Sequence, residues 1–202
     1  MIIKAFREPP LDNNDYIVID EASHEAILID CSAPDDSIMD YIHEQNASLK
    51  FILLTHGHLD HVMGLIHFQQ KYGIQAYLHQ NDSALLADIN TWTKFLGWDP
   101  VAIPTADVLI DEQTPLKLGE ESIQIIHTPG HTQGCVCYLI DNHLFSGDTL
   151  FQGTHGRTDL SGGDPQKMQA SLSRLFTLPD TTLVYPGHGE TTTIGTEKKH
   201  QT

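Results

Sequence analysis

Positive charge is scarce in this chain: 11 Lys and Arg stand against 27 Asp and Glu, a formal net charge of −16. No basic run offers a track for a phosphate backbone, so nucleic acid is excluded as an expected partner. Part of the acidity reads as local, because carboxylates that share divalent cations no longer repel one another as free ones do. Cysteine is scarce as well. Cys31, Cys135 and Cys137 are odd in number, and the last two sit at i, i+2 in an apparent strand, a poor geometry for a mutual bridge. A disulfide framework is therefore not expected. Also lacking are a charged leader with an apolar core and any apolar run near the roughly 20 residues of a spanning helix. Together these absences point to a cytoplasmic enzyme or binding protein with no membrane partner. Nothing in the sequence specifies an oligomeric state.

What is present reads as one domain over residues 1–202, long enough for a two- or three-layer core. "YIVID" (16–20), "AILIDC" (26–31) and "FILLT" (51–55) read as strands, with a helix over 34–46 opened by Pro34 and acids. A helix over 61–73 stopped by glycine, a strand over 74–79 and a helix over 81–89 follow. The second half changes character, with short strands at 107–110, 115–118, 122–127, 135–140 and 143–147 set between turn residues. A helix led by an acid and a proline (164–178) and a strand (181–187) come last. Strands and a helix in each half predict two sheets packed face to face with helices outside, an αββα sandwich. The tail from 197 onward is polar and is expected to fray.

The densest chemistry is "THGHLDH" (55–61), directly after a buried strand. In an extended segment i and i+2 point the same way, so His56 and His58 can converge on one cation, with Gly57 removing bulk between them. Asp60 and His61 fall where the next helix begins and must point elsewhere. Four ligand-type side chains leaving in two directions suit two adjacent metals. Further donors stand at strand ends: His131 in "TPGHTQG", Asp148 in "SGDTLF" and His188 in "YPGHGE". Alone, each of these three reads as an ordinary turn residue. Beside the cluster, they read as partners. Of the remaining histidines, His127 and His155 lie near the motifs and could back a ligand, whereas the others read as surface or structural residues.

These motifs, in this order, resemble the metallo-β-lactamase superfamily. The resemblance implies that His56, His58 and His131 hold one divalent metal ion and Asp60, His61 and His188 a second, with Asp148 bridging them. It implies zinc first, with iron or manganese as alternatives, and it supports the four-layer αββα sandwich of two mixed sheets. Residues 147–165 and 185–198 are similar to the short bacterial type of glyoxalase II-like (hydroxyacylglutathione hydrolase-like) enzymes. A persulfide dioxygenase branch with a single iron shares the "GRTD" segment and is the alternative. True β-lactamases place a cysteine where Asp148 stands, which argues against an antibiotic hydrolase. Only 14 residues follow His188, so the helical domain that supplies glyoxalase II with its glutathione clamp is expected to be absent. Gln133 and Cys135 depart from the family pattern without touching the ligand set.

The implied reaction is hydrolysis of a small-molecule thioester by a water activated between two cations. A thiol of pKa about 8.5 leaves as thiolate with little help from an acid. Asp60 is the carboxylate that could also shuttle a proton. Arg157, one of three arginines, either clamps a substrate carboxylate or ties its loop through an ion pair with Asp159.

Overall fold

A computed structural model describes residues 1–8 and 12–200. Its first sheet runs through β1 (Ile2–Glu8), β2 (Asn13–Asp20), β3 (Glu25–Ile29), β4 (Ser48–Leu53), β5 (Gln75–His79) and β6 (Val108–Ile110), side by side in that order. The first three are antiparallel neighbours, and β3 to β6 are parallel. The second sheet places β7 (Leu116–Leu118), β8 (Glu121–His127), β9 (Val136–Ile140) and β10 (His143–Gly147) antiparallel. A small ribbon of β11 (Leu150–Phe151) and β12 (Thr154–His155) follows. Then β13 (Leu183–Pro186) joins β10 in parallel, and β14 (Thr192–Thr193) closes that edge.

Alternation along the strands explains the layers. Tyr16 and Val18 of β2 and Ile27 and Ile29 of β3 face Val136, Tyr138 and Ile140 of β9, forming the core between the sheets. The residues between them, Ile17, Ile19, Ala26 and Leu28, turn to the opposite face and meet the helices. With both faces covered, these strands read as continuous apolar runs. On that outer face lie α1 (Asp36–Glu44), α2 (Leu59–Val62), α3 (Leu65–Tyr72), α4 (Ser83–Ala87) and α5 (Ile89–Leu96). The outer face of the second sheet carries α6 (Pro165–Leu175) and α7 (Ile194–His200), through Met168, Leu172, Leu175 and Ile194. The fold is thus the αββα sandwich with two mixed sheets. Among the described residues, no helix is long and apolar enough to cross a membrane.

The starts and stops follow local chemistry. Asp164 caps α6 by accepting from the N–H groups of Gln166 and Lys167, with Pro165 in the first turn. Gly73 ends α3 in the left-handed conformation. Asp35, next to Pro34, caps α1.

Several expectations need correction. The helix over 61–73 is broken at Met63–Gly64 into α2 and α3, where the Gly64 N–H donates to the carbonyl of Cys31. The helix expected at 81–89 is a 3-10 turn (Gln80–Asp82) followed by α4, and α5 was not foreseen. β1 was also missed. The polar tail does not fray over residues 197–200, which belong to α7. There Glu197 is buried and accepts from Thr192 Oγ1 and the Gly153 N–H, an anchor invisible in a run of polar letters. The rest of that tail, 201–202, lies outside the described residues.

Candidate metal centre

Four loops leave the carboxyl ends of β4, β8, β10 and β13 at one edge of the sandwich, where crevices for ligands form in open α/β sheets. The two sheets are tied together there. The Val136 N–H donates to Thr55 O (2.9 Å), the Tyr138 hydroxyl to Leu54 O (2.8 Å), and the Asn14 N–H to Gly187 O (2.7 Å).

All seven expected side chains meet at this edge, in three overlapping groups: His56, His58 and His131; His56, His61 and Asp148; Asp60, His61 and His188. Within each group the donor atoms lie within 4.8 Å of one another. His58 Nδ1 is 3.2 Å from His56 Nε2 and 2.8 Å from His131 Nε2. Asp60 and His61, in the first turn of α2, aim the other way, and His188 Nε2 lies 3.3 Å from Asp60 Oδ2. Asp148 sits between the two sides, with Oδ1 3.4 Å from His61 Nε2 and Oδ2 3.5 Å from His131 Nε2 and 3.8 Å from His188 Nε2.

Three atoms here, His58 Nε2, His61 Nε2 and Asp148 Oδ1, are buried without a hydrogen-bond partner. Orphaned buried groups of this kind are costly. His61 Nε2 and Asp148 Oδ1, 3.4 Å apart within the cluster, fit a divalent cation accepting their lone pairs. The electrostatics agree. Burial, followed by the imidazoles of His61, His58 and His131, holds His56 well below the ordinary histidine range. Burial and then His131 bring His58 down to about 4. Both rings are thus neutral and able to donate. Burial pulls on His61 as well, yet Asp30, Asp148 and Asp60 together push it well above the ordinary value. Burial would raise the Asp60 and Asp148 carboxyls, but in both His61 leads the interactions that outweigh it and lower them.

Two buried carboxylates that the sequence reading missed hold this arrangement. Asp82 Oδ2 accepts from the Gly57 N–H (3.0 Å) and Thr132 Oγ1 (2.7 Å), and its Oδ1 from the Gly134 N–H (2.6 Å). It staples the loop of His56 and His58 to the loop of His131. Asp30 Oδ2 lies 2.8 Å from His61 Nδ1, and the same carboxylate accepts from the Thr55 N–H and hydroxyl. This is the outer partner that fixes ring orientation at metal sites. The only signal in the sequence was an acid just after a strand, at "LID" and "HQND". Glycine is required where loops cross closely. A Cβ on Gly187 would lie 2.5 Å from Asp148 Oδ1 and 2.8 Å from His61 Cε1, and one on Gly134 would lie 2.6 Å from Asp82.

Arg157 donates two 2.7 Å bonds to Asp159 and lines the cavity above the cluster, while its carbonyl lies 2.7 Å from His131 Nδ1. His127 stacks on His79 and pairs with the Gln133 carbonyl, and His155 with that of Gly156. Among the described residues, neither hydrogen-bonds a candidate ligand. All three cysteines are buried and outside any disulfide, and burial pushes the Cys137 thiol up to about 11.

An αββα sandwich with a candidate two-metal centre at its edge defines a class of metal-dependent hydrolases. The amino-acid sequence matches the Metallo-beta-lactamase superfamily over residues 9–188, and the chain belongs to that superfamily. It is 38% identical to the probable metallo-hydrolase YqgX of Bacillus subtilis, over 94% of this chain and 90% of that protein. It is 33% identical to the hydroxyacylglutathione hydrolase GloC of Haemophilus influenzae, over 86% of this chain and 84% of that protein. Among solved structures it is similar to the BLEG-1 B3 metallo-beta-lactamase, with a TM-score of 0.90, 32% identity, and coverage of 98% of this chain and 97% of that one. It is likewise similar to TTHA1623 in a di-iron-bound form, with a TM-score of 0.87, 32% identity and 98% coverage of both chains.

Proposed function

We propose that this protein is a dinuclear thioesterase of the hydroxyacylglutathione hydrolase type. The observation that carries the reading is the cavity over the metal centre. Among the described residues that line it there is no serine, cysteine or lysine, and the carboxylates and imidazoles there belong to the candidate ligand set, so water is the nucleophile in this reading. His56, His58 and His131 would hold one divalent cation and Asp60, His61 and His188 the other, with Asp148 reaching both. Zinc is the first expectation from imidazole and carboxylate donors, and iron or manganese also fit. Bound cations would supply the water activation and carbonyl polarisation that hydrolysis needs.

The protein's own residues do the remainder. Asp82 and Asp30 keep the imidazoles aligned, so little reorganisation is needed as charge develops. Asp60, whose carboxyl is held in its ionised form and whose side chain is 23% exposed, is placed beside His188 to pass the proton released by water to bulk solvent. Water adds to the thioester carbonyl, the C–S bond breaks, and a carboxylate, a proton and a thiol result. No side chain has to protonate the leaving group, because a thiolate departs unaided. Similarity to hydroxyacylglutathione hydrolase GloC supports the thioester reading. Similarity to BLEG-1 makes β-lactam hydrolysis the second reading, despite an aspartate at position 148.

Metal analysis of the isolated protein, coupled to assays with S-lactoylglutathione, simple acyl thioesters, a β-lactam and a persulfide, tests this. Two equivalents of metal and thioester cleavage that is lost to a chelator and restored by metal are expected. A fully loaded protein inert on every thioester would refute it. One iron per chain with oxygen uptake on the persulfide would establish the mononuclear dioxygenase in its place.

A further inference from the structure

The cavity above the metal centre, about 320 Å³, lies at the small end of small-molecule sites, and its wall is unlike its floor. The floor is the imidazole and carboxylate cluster. The wall is apolar: Leu59 of α2, Trp92, Phe95 and Leu96 of α5, and Leu160. Trp92, Phe95 and Leu96 follow the i, i+3, i+4 spacing that lines up one stripe on a helix. The core-facing side of α5 carries the buried Ile89 and Thr93, and Trp92 also packs partly against that core. Trp92 packs edge-on against His58, with ring centroids 5.8 Å apart, and against Phe95 at 6.1 Å. Phe95 remains 80% exposed, the most exposed of the large hydrophobic side chains on the described surface. An aromatic stripe that begins on a candidate metal-binding imidazole and ends in solvent is oriented to receive something extending outward from the centre.

The wall itself offers little charge. Arg157 is the only cationic side chain other than histidine lining the cavity among the described residues, and its Nε and Nη2 donate to Asp159. Asp60 and Asp148 belong to the floor, where bound cations would offset their charge. The wall therefore sets the preference, and an uncharged alkyl or aryl arm would bury apolar surface against the stripe.

We propose that α5 and Leu160 form an apolar subsite selecting substrates with an uncharged alkyl or aryl arm next to the scissile bond. The inference deepens, and rests on, the reading of the centre as a thioester hydrolase. The arm can belong to the acyl or to the thiol half, and the experiment separates the two. One thioester series lengthens the acyl chain from two to eight carbons on a fixed small thiol, and a second lengthens the thiol on a fixed acetyl group. Non-cleavable ketone analogues, with CH₂ in place of sulfur, are titrated in parallel by Trp92 fluorescence in a Trp98→Phe background of the metal-loaded protein.

In one series kcat/KM rises and Kd falls by about two- to fourfold per methylene. Phe95→Ala flattens that slope, and a carboxylate at the end of the arm cancels the gain. Phe95 is exposed, so its truncation leaves the fold intact, which an unchanged Tm verifies. A chain-length slope in binding with no turnover upholds the subsite and refutes the thioesterase. Turnover or binding that is indifferent to chain length in both series overturns the subsite, as does a slope that survives Phe95→Ala.

Discussion

The two halves of the metal centre differ in how they meet solvent. His56, His58 and His131 are buried, at 0%, 7% and 4% exposure. In the other group only His61 is fully buried, and the side chains of Asp60 and His188 keep 23% and 27% of their surface in solvent. Their supports differ too. The closed half is stapled across two loops by Asp82, one loop after β4 and the other after β8. The open half has Asp30 behind His61, and its His188 loop is held from below, where Asn14 Nδ2 donates to the carbonyls of Pro186 and Gly189. The difference teaches that one fold edge can place a sealed group of donors and an accessible one side by side. A metal held by the first would be shielded from solvent, and one held by the second would stay open to it.

The largest expected effect comes from the residue common to both halves. Asp148→Ala should lower kcat/KM by well over the roughly 100-fold limit typical of losing an outer partner and reduce metal content at both positions, read by steady-state kinetics and elemental analysis. Next in size, His131→Ala and His188→Ala should separate the halves. Chelator-induced metal release from the native protein is expected in a fast and a slow phase. His131→Ala removes the slow phase and His188→Ala the fast one, and loss of the same phase in both variants would break the comparison. Smaller again, Asp82→Asn and Asp30→Asn should each weaken metal binding by about 10–100-fold, with Asp82→Asn acting on the slow phase and Asp30→Asn on the fast one in metal titrations.

The last effect is on stability and not on the site, and it depends on pH. Asp15 is wholly buried, and burial above all raises its carboxyl to about 8, despite hydrogen bonds from Ser32 that lower it. A carboxyl unfolded at about 3.9 and folded near 8 keeps its proton in the native state across that interval. The stability it contributes is full below about pH 4, declines as pH rises and is gone above about 8. Thermal unfolding of the metal-free protein between pH 5 and 8 should show this decline, and a shallower one in Asp15→Asn.

Much of this was legible beforehand. Continuous apolar runs such as "YIVID" and "CVCYLI" became strands buried on both faces, and "THGHLDH" with His131, Asp148 and His188 came together at one edge, because strand ends and turn glycines are local signals. The misses are equally physical. β1 mixes apolar and charged residues and is ordered by pairing with β2, and α7 is a polar run anchored by Glu197 finding Thr192 and Gly153. Asp30, Asp82 and the Trp92–Phe95 stripe are defined by what they touch, 25 or more residues away in the case of the two carboxylates.

Sequence alone determined which side chains can donate to a metal and that four of them leave one turn in two directions, since i, i+2 spacing and a helix start are properties of the local backbone. Tertiary structure decided how the later three join them, which half is sealed and which is open, and that the wall beside them is apolar. Those outcomes depend on how the two sheets and the helices on their outer faces pack together, and no stretch of chain contains that information by itself.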